Sequence, residues 1–236
     1  MALADDINAT VLAQIPLIPE GGGYGTKLSA HEALASSVSD EGVIQPGKAR
    51  PSYCSGATYL VFLLTLRDLE KRGALHLSKA TWEDLRPRLR PDGTDTLPDG
   101  ESVWGRWNAN GPGTARLFHE LHLGENFTDF AKAKAGDFMK IFWTDAVGKN
   151  ERGHSVIFLG LEKKDGVEYV RYWSSNIPEG VGEATVPRAK IAWAIFSRLT
   201  APGKVRVLEK RDEYLASLLK TESSQAEARK LSGIVD

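Results

Sequence analysis

Pro51-Ser52-Tyr53-Cys54-Ser55-Gly56-Ala57-Thr58-Tyr59-Leu60-Val61-Phe62-Leu63-Leu64-Thr65-Leu66 organises the rest of the chain. Ser52, just after a proline, is a candidate N-cap. Gly73 suits the left-handed position beyond a helix end, so a helix is predicted over 53–72. From Tyr59 to Leu66 the segment is apolar on every helical face, which predicts a helix buried all round. Arg67, Lys71 and Arg72 in its last turns complement the negative end of the helix dipole.

Upstream, residues 1–18 predict a short helix ending before Pro16, and residues 19–25, with four glycines, must be loop. That loop lacks the glycine-to-lysine spacing of a nucleotide phosphate loop. Ser29-Ala30-His31-Glu32 has the form of a capping box opening a helix toward Val38. Downstream, residues 75–113 read as irregular, and 114–122 as a helix ended by Gly124. After Gly136 the pattern changes to strands over 137–143, 154–161 and 167–173, with Asp165-Gly166 as a hairpin turn between the last two. Residues 191–196 and 205–208 predict further strands, and the charged tail over 209–236 a helix. Helices first and an antiparallel sheet afterwards indicate an α+β fold. The expected organisation is one domain over 1–236: an N-terminal segment 1–50, an insertion at 75–130 lining a cleft, and the C-terminal helix.

Lys and Arg number 30 and Asp and Glu 31 among 236 residues, a net charge of −1 that gives no general pull toward nucleic acid. Hydrophobic residues at 42% and charged ones at 26% exclude global disorder. The single cysteine excludes an intrachain disulfide framework and a Cys-rich zinc site. No cofactor is predicted. The longest apolar run is too short for a transmembrane span. The N-terminus lacks the charged and apolar regions of a secretory signal, while Ala2-Leu3-Ala4 fits the start of a processed exported form.

Cys54 falls in the first turn of the buried helix, where unpaired N–H groups and the positive dipole end favour a thiolate. The bland alternative is a small buried hydrophobe. His154 opens a strand after Gly153. Counting back from the Asp165-Gly166 turn puts it opposite position 177 or, with the turn moved by one, 175. Either register sets Ser174, Ser175 and Asn176 beside the imidazole, where a polar side chain can fix its tautomer. Trp104, Arg106 and Trp107 lie in a Gly-flanked stretch suited to a sugar or peptide, with Arg106 available for a carboxylate. The alternative is that the tryptophans cover the core. His119 and His122 lack the spacing of a metal-binding His-Glu-x-x-His helix.

The order of these parts resembles the NlpC/P60 cysteine peptidases and amidases. Cys54-Ser55-Gly56 stands at a helix start, Gly136-Asp137 before an apolar strand, and Gly153-His154 before Ser155-Val156-Ile157-Phe158-Leu159-Gly160, with a polar residue on the next strand. The resemblance spans about residues 52–176. Tyr53 stands where that family usually has Asp, and its Tyr-x-Trp-Gly-Gly segment is absent just upstream. The resemblance implies a papain-like fold, with a central helix carrying Cys54 packed on the sheet. It implies Cys54 as nucleophile, His154 as base and then acid, and Asn176 as orienting residue, with Ser174 and Ser175 as alternatives. The implied substrate is a peptide or peptidoglycan amide, and the implied location periplasmic or secreted. Another amide substrate, transfer to an amine, or a binding module that has lost the chemistry are the competing readings.

Overall fold

The structure, a computed structural model, describes residues 7–96 and 98–234. In chain order, α1 (Ile7–Gln14), the short strand β1 (Gly21–Gly22) and α2 (Leu28–Ser36) lead to α3 (Cys54–Lys71). Helices α4 (Lys79–Leu85), α5 (Ser102–Asn108) and α6 (Gly113–Leu121) follow. Then come β2 (Gly124–Phe127), β3 (Phe138–Phe142), β4 (Val147–Gly148), β5 (Gly153–Lys164), β6 (Val167–Asn176), β7 (Gly180–Pro187) and β8 (Trp193–Leu199). The chain continues through α7 (Glu213–Ser217), β9 (Glu222–Ser223) and α8 (Gln225–Leu231). The architecture is α+β, as predicted.

Helix α3 is buried on all sides from Ser55 to Leu66 because its apolar residues leave no face for water. It packs against β5 and β6, with α1 and α5 also against it. Phe138, Ile157 and Trp173 are register partners across β3, β5 and β6 and share the α3 core. Met139, Val156 and Phe196 alternate to the opposite sheet face. Each large apolar side chain so buried contributes about 1.5–3 kcal/mol.

The main sheet runs β1-β7-β6-β5-β3-β8-β2 with antiparallel pairing throughout. The Asp165-Gly166 turn forms as predicted, both residues at positive φ, with Lys164 opposite Val167. Further along, a bulge between Phe158 and Gly160 removes one residue from the pairing, and Gly160 takes φ +144. At the register Ile157↔Trp173, His154 comes opposite Asn176, midway between the two registers expected from the turn.

Gly136-Asp137 serves the framework. The fully buried Asp137 carboxylate accepts from Arg198 at 2.7 and 2.8 Å and from Asn8 Nδ2 at 2.8 Å, joining α1, β3 and β8.

Several expectations need correction. The first six residues of the expected 1–18 helix lie outside the described ones. The rest is α1 and a 3₁₀ turn, Ile15–Leu17. The Ser29 capping box does not form; α2 begins at Leu28 without a side-chain cap. Ser52 does not cap α3 either, since Tyr53 holds the N-cap position and Ser52 Oγ donates to Ser175 Oγ at 2.8 Å. Residues 75–113 contain α4 and α5, and β7 went unpredicted. Residues 205–208 are not a strand, because β2 already pairs the outer edge of β8, and Val205 packs into the α3 core. The tail is not one helix. Asp212 and Ser224 each cap a separate one, accepting from Leu215 N and Glu227 N, and β9 pairs with β4 between them.

Candidate active site

Cys54 is the first residue of α3, and the N-cap residue Tyr53 offers its helix no side-chain acceptor. The first-turn N–H groups therefore keep their affinity for negative charge. Tyr53 instead bonds His31 Nδ1 at 2.8 Å and lays its ring against Trp104. Ser55 Oγ donates to Asn108 Oδ1 at 2.6 Å, tying the helix start to the end of α5.

His154 reaches this helix start from β5, near enough that its ring and the Cys54 thiol act on each other's titration. Its Nε2 lies 3.0 Å from Asn176 Oδ1. The Asn176 amide donates Nδ2–H to Gly182 O at 3.0 Å and Ser174 O at 3.3 Å, so Oδ1 must be the acceptor facing the ring. Nε2 therefore carries the proton, and Nδ1 is left for the thiol. Trp143 and Tyr172 flank the imidazole, with ring centroids at 6.4 and 5.6 Å. Ser174 and Ser175 are engaged elsewhere: Ser174 Oγ donates to Ser155 O at 2.7 Å, and Ser175 Oγ accepts from Ser52.

Burial pushes the Cys54 thiol up. Against it act the hydrogen bond and charge of His154, the backbone N–H of Ser155 and the Lys140 ammonium, and together they bring it down to about 6. Burial lowers His154, and the bond and charge of Cys54 with the Asn176 carbonyl more than reverse this, leaving it raised. Each group thus favours the charged form of the other, which is the condition for a thiolate–imidazolium pair.

Tyr24 is a site residue that the sequence did not reveal. Burial, then the charge of Cys54 and a hydrogen bond to it, raise its phenol. The glycine loop puts it there. Gly21, Gly22 and Gly23 all have positive φ, and β1 pairs with β7. Tyr24 N donates to Pro178 O at 3.1 Å and Gly25 N to Ser52 O at 2.9 Å. This joins the loop to both the helix start and the β6–β7 connection, a contact with no local sequence signal.

Two cavities flank the pair. One of about 330 Å³ opens at Cys54 and is lined by polar groups including Asp99, Asn108, Asn110 and Lys140. The other, about 490 Å³, opens at His154 between Trp143, Tyr172 and Ile177. Tyr24 and Gly153 border both.

Trp104, Arg106 and Trp107 do not line this cleft, which corrects their expected role in substrate binding. Their exposures are 0%, 1% and 2%. Trp104 packs on Tyr59, and Trp107 stacks on Phe62 at 4.9 Å. Arg106 pairs with Glu120 at 2.7 Å and donates to Gly100 O at 2.8 Å. The 75–130 segment reaches the cavity through Asp99, Asn108 and Asn110 instead. Among the described residues, no group of three or more His, Cys, Asp or Glu side chains is placed to hold a metal, and no helix is long and apolar enough to cross a membrane.

Comparison with protein-family models, curated proteins and solved structures found no match to this chain.

Proposed function

We propose that this chain is a cysteine hydrolase of papain-like fold that cleaves an amide bond through an acyl-thioenzyme. The observation carrying the reading is the convergence of Cys54 at the start of α3 with His154, whose ring is hydrogen-bonded to Asn176, with a cavity on either side. The Cys54 thiolate adds to the substrate carbonyl carbon. The resulting oxyanion meets the Cys54 backbone N–H and the Tyr24 hydroxyl, which turns to it as charge leaves the sulfur. The carbon–nitrogen bond breaks as the His154 imidazolium gives its proton to the departing amine. Neutral His154 then takes a proton from water while the water oxygen attacks the thioester. Release of the acid restores thiolate and imidazolium.

Because His154 protonates the leaving amine, the amine half of the substrate lies toward Trp143 and Tyr172. The acyl half occupies the polar cavity beside Cys54. The motif order shared with NlpC/P60 enzymes supports a cell-wall peptide, such as a peptidoglycan stem or cross-link, and hence action outside the cytoplasm. The test is digestion of purified peptidoglycan by wild type and Cys54→Ala. Wild type is expected to release peptide fragments and the variant none. Equal release by both, or none by either across a broad amide and ester panel, contradicts the proposal.

A further inference from the structure

The polar cavity beside Cys54 has walls that the reaction above leaves unused. Its ionic lining is His31 from α2, Asp99 ahead of α5, Lys140 on β3 and Glu151 ahead of β5. Tyr24 from the glycine loop and Tyr53 from the α3 cap also border it. Lys140 and Glu151 neutralise each other at 2.8 Å. Asp99 is only 8% exposed, and among the described residues it forms no ion pair. Its backbone carbonyl accepts from Arg211 Nε at 3.4 Å, on the side of a different cavity. Two amides stand beside it. Asn108 Oδ1 is taken by Ser55 Oγ at 2.6 Å, which leaves Nδ2–H to donate into the cavity. Asn110 Nδ2 donates to Gly148 O at 3.4 Å, which leaves Oδ1 to accept. A buried carboxylate without a cation beside it is costly, and a ligand that brings one offsets that cost.

We propose that this cavity is a cation subsite, in which Asp99 and the side-chain oxygen of Asn110 receive an ammonium group on the acyl half of the substrate while Asn108 Nδ2 donates to a substrate carbonyl. The inference deepens the hydrolase reading and rests on Cys54 as nucleophile. An ammonium there comes from a free N-terminus or from a basic side chain. Burial pushes the Asp99 carboxyl up to about 6, helped by the charge of Asp95 and opposed by the backbone N–H of Asn110 and the charges of Lys140 and Arg211. The subsite is therefore charged above about 6 and neutral below it.

The experiment is alkylation of the full chain, in which Cys54 is the sole cysteine, followed by intact mass. The probes are the chloromethyl ketones of alanyl-alanine, N-acetyl-alanyl-alanine and N-acetyl-lysyl-alanine, whose acyl halves stand in for that of a substrate. At about pH 7 the first or the third is expected to react roughly tenfold faster than the neutral second. Preference for the first assigns a free N-terminus, and preference for the third a basic side chain. In Asp99→Asn the preference falls to within about twofold of none. In wild type it falls as pH drops through about 6, where Asp99 takes up a proton, while the thiolate fraction cancels between probes. Equal rates for all three probes in wild type overturn the proposal. So does a preference that Asp99→Asn leaves intact, or one that does not change across that pH range. Slowing of all three probes and of iodoacetamide alike in Asp99→Asn makes Asp99 a structural residue and also overturns it. If the variant does not fold, the wild-type pH dependence decides. Labelling of Cys54 by every probe no faster than free N-acetylcysteine sinks the hydrolase reading and this inference with it, a result distinct from a reactive Cys54 without preference.

Discussion

At Asn176 both ends of the side-chain amide are committed, Nδ2 to Gly182 O and Ser174 O and Oδ1 to His154 Nε2. Its contribution is therefore the tautomer and direction of the imidazole. Asn176→Ala should lower kcat at least about tenfold with little change in KM, measured on any amide substrate the wild type cleaves. The pair also sets the pH profile. Thiolate accumulates as pH rises through about 6, and the imidazolium is lost as pH rises through the elevated His154 value, so activity is bounded on both sides. Cys54 and His154 were legible because a helix start and a strand start are local features. The Asn, Arg and Trp side chains of 104–110 were not sorted correctly, since aromatic and polar residues between glycines read alike in a core and in a cleft. Burial decided for Trp104, Arg106 and Trp107, and the cavity took Asn108 and Asn110.

Among the elements, the β5 bulge does most to build the site. Without it, the Asp165-Gly166 turn would set the exposed Ile177 opposite His154, and no amide would reach the ring. The turn was readable from Asp-Gly, whereas the bulge was passed over, although a lone glycine inside a strand, here Gly160, is a signal for one. Gly160 takes φ +144, a conformation costly for a residue with a Cβ, although open space surrounds it. Gly160→Val should therefore lower unfolding stability by about 1–3 kcal/mol in urea denaturation. Gly203→Ala, with open space and ordinary φ, should leave it within about 0.5 kcal/mol. Equal stability of the two variants would remove the bulge from the account.

For the whole molecule, the site forms where the buried helix meets the sheet and the glycine loop crosses both. The general arrangement was visible in the sequence because α3 is apolar all round and the strands alternate. Tyr24 was not, being 30 positions from Cys54 by the sequence numbering and placed by β1–β7 pairing, by its own N–H bond to Pro178 O and by the contact of Gly25 with Ser52. The central claim is that this convergence makes Cys54 and His154 one ionised pair. The most direct measurement is the midpoint of Cys54 alkylation against pH in wild type and His154→Ala. A wild-type midpoint near 6 that rises by more than about one unit in His154→Ala is the predicted result. A wild-type midpoint near 8.5, the usual thiol value, and unmoved by the substitution would contradict it.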